Sequence, residues 1–72
     1  MSMPLSMVKE GEISTICKVG GKEETRKFLE NLGFVSGGEV TVVSQINGNI
    51  IVNVKGSRVA IGRDMANKVM VM

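Results

Sequence analysis

The run from Phe28 to Val40 constrains this chain more than any other stretch of it. It reads as a helix that closes, turns and hands over to a strand. Gly33 falls one position past Leu32, where a helix closes on a left-handed residue that glycine adopts without steric cost. Phe34 is then placed to fold back on Leu29, the apolar contact that accompanies such a cap. Gly37 and Gly38 reverse the chain before the strand-forming run from Glu39 to Val43. Upstream, Gly20 and Gly21 open the helix, which is predicted over 22–32. Thr25, Phe28, Leu29 and Leu32 make its apolar stripe and are assigned to the core contact. Glu23 and Glu24 stand in the first turn, where the helix dipole favours acids, and Glu23 can pair with Lys27. One short helix in a chain rich in Val and Ile leaves few folds open.

Around that helix the pattern is β. Residues 1–8 are expected to form an extended arm that packs Leu5 and Val8, with Pro4 opposing a helix. A first strand is predicted over 12–19. There Ile13, Thr15, Cys17 and Val19 share one parity and Ile16 has the other, so either a bulge intervenes or Ile16 faces out. Cys17 is placed inward. Val40, Val42 and Ile46 share a face, as do Ile50, Val52 and Val54. A two-residue loop at Asn47 and Gly48 pairs Ile46 with Asn49 and sets the two groups on opposite faces. A three-residue loop over 47–49 pairs 46 with 50 and unites them. Burying an apolar side chain is worth about 1.5–3 kcal/mol, more than a turn preference, so the longer loop is expected. A two-residue turn at Gly56 and Ser57 then pairs 54 with 59 and 52 with 61, which brings Val59 and Ile61 to the same face. Residues 62–67 read as one tight 3₁₀ turn, and 68–72 as a closing strand with Val69 and Val71 inward. About five short strands expose their edges unless the sheet curls into a partly open barrel. The expected class is mainly β, a small β-barrel with one inserted α-helix, residues 1–72 forming a single domain.

Composition narrows the chemistry. The 72 residues include no His, Trp or Tyr, and only Phe28 and Phe34 are aromatic. Without His there is no ready acid/base group near neutral pH and no Ser-His or Cys-His pair. Glu23 and Glu24 are neighbours in sequence and splay around the helix. One thiol, six Glu and one Asp, scattered along the chain, offer no cluster with metal-ligand spacing. Neither an enzyme nor a tight metal or cofactor site is expected. Small barrels that bind single-stranded nucleic acid stack bases on aromatics, and both Phe are assigned to the core, so nucleic acid is not an expected partner. One cysteine makes no internal disulfide and points to a reducing compartment. The N-terminal residues lack the basic and long apolar regions of a signal peptide, and no apolar run approaches the roughly 20 residues of a span. A cytoplasmic protein without direct membrane insertion is expected, and a homo-oligomer stays open as added support for so small a core.

The order Arg26, Leu29, Leu32, Gly33, Phe34, Gly37, Val40 follows the pattern R-x-x-L-x-x-L-G-F-x-x-G-x-x-V, which resembles the signature of the FeoA family. Val8 to Gly11 is similar to the family's opening turn, and Gly56 to Gly62 with Val69 to Val71 is similar to its closing hairpin and last strand. The resemblance implies an SH3-like barrel. It also implies a non-enzymatic cytoplasmic accessory of bacterial ferrous iron transport, docking on the G-protein domain of the membrane-embedded transporter and modulating it. A similar domain is appended to some metal-dependent repressors, so a free-standing regulatory interaction module is the alternative. The family's link to iron does not make this chain an iron carrier.

A candidate docking surface follows from the apolar residues left once the core face is filled. Val43, Ile51, Ala60, Met70 and Met72 have the other parity. Contiguous exposed apolar area marks contact surfaces, and Met suits an adaptable one; the alternative is a second apolar layer covered by the N-terminal arm. Residues 55–72 carry four bases and one acid, and Arg58 and Arg63 are grouped with the patch as its basic margin.

Overall fold

The computed structural model describes residues 2–72. In chain order the elements are β1 (Met3–Pro4), a 3₁₀ turn (Leu5–Met7), β2 (Ile13–Val19), α1 (Glu23–Leu32), β3 (Glu39–Ile46), β4 (Asn49–Val54), β5 (Ser57–Gly62), α2 (Arg63–Ala66) and β6 (Val69–Val71). The strands form one antiparallel sheet in the order β1-β6-β2-β3-β4-β5. Six strands stand where about five were expected, because the N-terminal arm adds a short one against β6. The sheet curls around its core but does not close, and β1 and β5 remain its two edges.

The helix ends as its sequence dictates. Gly33 has φ 113°, its N–H donates to the Glu30 carbonyl at 2.9 Å, and the Phe34 N–H donates to Leu29 at 3.0 Å. Those two bonds, one nested inside the other, satisfy carbonyls that a bare helix end would leave open. The Phe34 and Leu29 side chains are both fully buried, so the cap also ties the helix to the core. A Cβ at Gly33 would stand 3.4 Å from Cβ and Cγ of Lys55, which lies across the helix end. The stripe is narrower than its spacing predicts. Leu29 is buried and Leu32 half-buried, whereas Phe28 is 50% exposed and not in the core. Leu29 is the one helix residue fully buried, so α1 meets the core along a narrow strip.

Two bulges explain where strand parity departs from expectation. The β3–β4 turn is the two-residue loop Asn47-Gly48, with φ 47° and 82°, not the three-residue loop, and Ile46 pairs with Asn49. Ile46 is consequently 52% exposed and not inward. The apolar groups still unite, because an extra residue at Val43 shifts the register between Val42 and Ser44 and pairs Val42 with Val52 and Val40 with Val54. All four of those valines are buried. In β2 a second irregularity lies between Ile16 and Lys18. Ile16 is buried, Val19 packs on the core beyond the bulge, Ile13 faces out, and Cys17 at the bulge is half-buried, not inward.

The next hairpin turns one residue earlier than expected, at Lys55-Gly56 (φ 49° and 74°), and pairs 54 with 57, 52 with 59 and 50 with 61. That is a shift of two, which preserves parity, so Ile61 is buried and Val59 packs at the core margin. The turn over 63–66 is α-helical. Leu5, Val8, Val69 and Val71 complete the core as expected. The Ser6 hydroxyl donates to Asn67 Oδ1, joining the N-terminal arm to α2.

Candidate docking surface

Cross-strand pairing brings four of the predicted surface residues together. On the outer face of β3–β5, Ile51 lies opposite Ala60 on one side and Ser44 on the other, beside the bulged Val43. Arg58 lies opposite Asn53, and its Nε donates to Asn53 Oδ1 at 3.3 Å. That bond crosses from β5 to β4 on the outer face. Val43 and Ile51 are half-buried, and Ala60 and Arg58 are exposed.

The other three stand apart from this group. Arg63 opens α2, donates its backbone N–H to the Gly48 carbonyl at 2.9 Å and its Nη2 to Gln45 Oε1 at 3.4 Å, and so sits beside the Asn47-Gly48 turn. Met70 lies in β6 and Met72 just past its end, across β2 from the meander. Met70 is half-buried between Pro4 and Lys18, and Met72, which exchanges two backbone hydrogen bonds with Thr15, is 68% exposed. Ile13 bridges the two regions, since it shares the outward parity of Thr15 and pairs with Thr41, next to Asn53 and Arg58. Ile13 and Ile46 were both missed by sequence reasoning. The Asn-Gly turn signal, had it been given more weight than strand parity, would have placed Ile46 outside.

The surface has the chemistry of contact and little else. Among the described residues there is no enclosed pocket, no grouping of three metal-binding side chains and no buried polar side-chain atom without a partner. The one ion pair among them, Lys27 to Glu23 at 3.2 Å, is a solvated helix pair. Cys17 Sγ is near the Thr15 carbonyl at 3.9 Å, and the Ser36 hydroxyl donates to the Cys17 carbonyl at 2.8 Å. No acid or base lies within that set to activate the thiol.

Residues 3–72 match the model of the FeoA domain. The chain belongs to the FeoA family. A relative from Methanocaldococcus jannaschii named Fe(2+) transport protein A is 37% identical over 68 residues, 94% of this chain and 83% of that one. The crystal structure of an iron uptake regulatory protein (FeoA) superposes with a TM-score of 0.91 at 33% identity, covering all of this chain and 96% of the other. A manganese-dependent transcriptional repressor contains the same SH3-like fold: TM-score 0.90 at 16% identity, over 99% of this chain and 41% of the repressor. No helix among the described residues is long and apolar enough to cross a membrane.

Proposed function

We propose that this chain is a non-enzymatic cytoplasmic accessory of ferrous iron transport that docks on the G-protein domain of the membrane-embedded transporter and modulates it. The observation that carries this reading is the family match over residues 3–72, joined to a relative of similar length named for Fe(2+) transport. The lack of His and the outward apolar residues of the meander, Ile46 and Ala60 exposed with Val43 and Ile51 half-buried, support action by contact. A protein of this kind works by binding one conformation of its partner more tightly than another, and its effect is bounded by that difference. A tenfold preference shifts the partner's equilibrium by about 1.4 kcal/mol.

The test is nucleotide hydrolysis by the purified transporter G-protein domain, with and without this protein, alongside ferrous iron uptake in a deletion strain. The reading requires a changed hydrolysis rate that Ala60→Asp abolishes without loss of fold, and impaired uptake under iron limitation. Unchanged hydrolysis together with unchanged uptake overturns it. The fold shared with the repressor favours, as second choice, a free-standing regulatory module. Capture of a metal-dependent repressor in place of the transporter would decide for that alternative.

A further inference from the structure

The sheet does not close, and its exposed edges are treated unequally. β1 is two residues long and ends on Pro4, which has no N–H to offer a neighbour. The second half of β3, past the reach of β2, is covered by the turn over 9–12: Gly11 N–H donates to the Val42 carbonyl at 2.7 Å, Val42 N–H to Glu12 at 3.3 Å, and Gln45 N–H to Glu10 Oε2 at 3.0 Å. β5 has neither protection. It is six residues long and pairs with β4 alone.

The hairpin fixes which of its backbone groups are free. A two-residue turn makes 54 and 57 a hydrogen-bonded pair, so 52 with 59 and 50 with 61 are bonded pairs too. The N–H and C=O of Ser57, Val59 and Ile61 therefore point at β4, and those of Arg58 and Ala60 point away from the sheet. Neither N–H donates to any other backbone carbonyl of the chain. Side chains alternate the other way. Val59 is half-buried at the core margin, while Arg58 and Ala60 are exposed on the outer face with the exposed Lys55 in the turn before the strand.

We propose that the free edge of β5 receives an extended acidic segment of a partner protein as an added antiparallel strand. This rests on the docking reading and names how the partner is held. The backbone groups call for a strand, Val59 for an apolar residue on its inner side, and Arg58 with Lys55 in the adjoining turn for carboxylates. A second copy of this chain suits the edge less well. The register that pairs the two free residues sets Arg58 opposite Ala60 of the copy and brings the two Arg58 side chains onto one diagonal of the outer face, like charge near like.

The test uses a capped nonapeptide alternating Glu with Val, titrated into the full-length protein while backbone amides are followed by NMR. Saturation should shift the Arg58 and Ala60 amides most and slow their hydrogen exchange. Ala60→Pro removes one outward N–H while leaving the bonds to β4 in place, and should weaken binding about tenfold. Arg58→Glu should weaken it at least as much, and a peptide alternating Lys with Val should not bind. If Ala60→Pro does not fold, N-methylating the peptide at the positions facing β5 should produce the same loss. Equal binding by a folded Ala60→Pro variant, shifts centred on Ile13 and Thr41, or no binding at millimolar peptide would overturn the proposal. So would protection of these amides that rises with protein concentration and no peptide, which would assign the edge to a second copy. If Ala60→Pro still captures the transporter domain, docking stands and the edge fails. If the peptide binds but the wild type captures no transporter domain, the reverse holds.

Discussion

The two hairpins of the meander share a turn geometry and solve the register problem in opposite ways. At the β3–β4 turn, Asn47-Gly48 has residues suited to two consecutive positive φ values, and the strand pattern disagrees with it. The bulge at Val43 absorbs the disagreement. At the β4–β5 turn the pattern agrees with a two-residue loop and no bulge is present, but Lys55 occupies a left-handed position that favours Asn or Gly. One hairpin keeps the better turn and bends the strand. The other keeps the strand regular and strains the turn. Strand pairing and turn chemistry are thus separable, and a core face can be completed when only one of them is ideal.

Single-residue deletions break this comparison most sharply. Removing Arg58 slips β5 by one and turns Val59 and Ile61 outward, with an expected cost of about 2–5 kcal/mol from their burial. Removing Val43 only heals the bulge, leaves Val42 opposite Val52, and should cost far less; chemical denaturation of both variants measures the difference. Next in size are Gly48→Val and Gly56→Val. Both glycines have positive φ and open space where a Cβ would go. Each substitution should cost about 1–2 kcal/mol, from backbone strain alone, and denaturation midpoints shifted by unequal amounts would show that the turns are not equivalent. The exchange of Asn47→Lys and Lys55→Asn should give smaller effects of opposite sign, about 0.5–1 kcal/mol each, the first destabilising and the second stabilising. The gain from Lys55→Asn is reduced by losing the side-chain stem that lies over Gly33. Smallest is Arg58→Ala, an exposed change expected to stay within about 0.5 kcal/mol in thermal unfolding.

Local chemistry was the legible part of this fold. The cap at Gly33 and Phe34 depends on residues next to one another, so its pattern survives in any context. The inward set of Val42, Val52, Val54, Val59 and Ile61 was also readable, because parity is a property of strands whatever turn joins them. The bulge at Val43 escaped, since an extra residue in one strand shows only against its partner; the one in β2 was open as an alternative from the parity of Ile16, but which residues it turns outward was not readable. Ile46, Ile13 and Cys17 were misplaced as a result. Phe28 was misassigned for a different reason: helical spacing says which residues share a stripe, not how wide a strip the neighbouring sheet will cover. On the candidate surface, grouping Val43, Ile51, Ala60 and Arg58 was possible from parity. The separation of Met70 and Met72 from them depends on strand order, which no short stretch of sequence encodes.

The helix end described above also sets a direction of motion. Gly33 and Phe34 clamp the C-terminal turn to the barrel, whereas Lys22 at the other end provides no side-chain cap. α1 is held by its cap at the C-terminal end, whereas ahead of its N-terminal end the backbone tie is Gly20 N–H to the Lys68 carbonyl. Fraying should start at Glu23 and run toward Leu29, so amide exchange at Lys27 and Phe28 will outpace that at Gly33 and Phe34. The Phe28 ring, half exposed and outside the core cluster, is carried on that loose half.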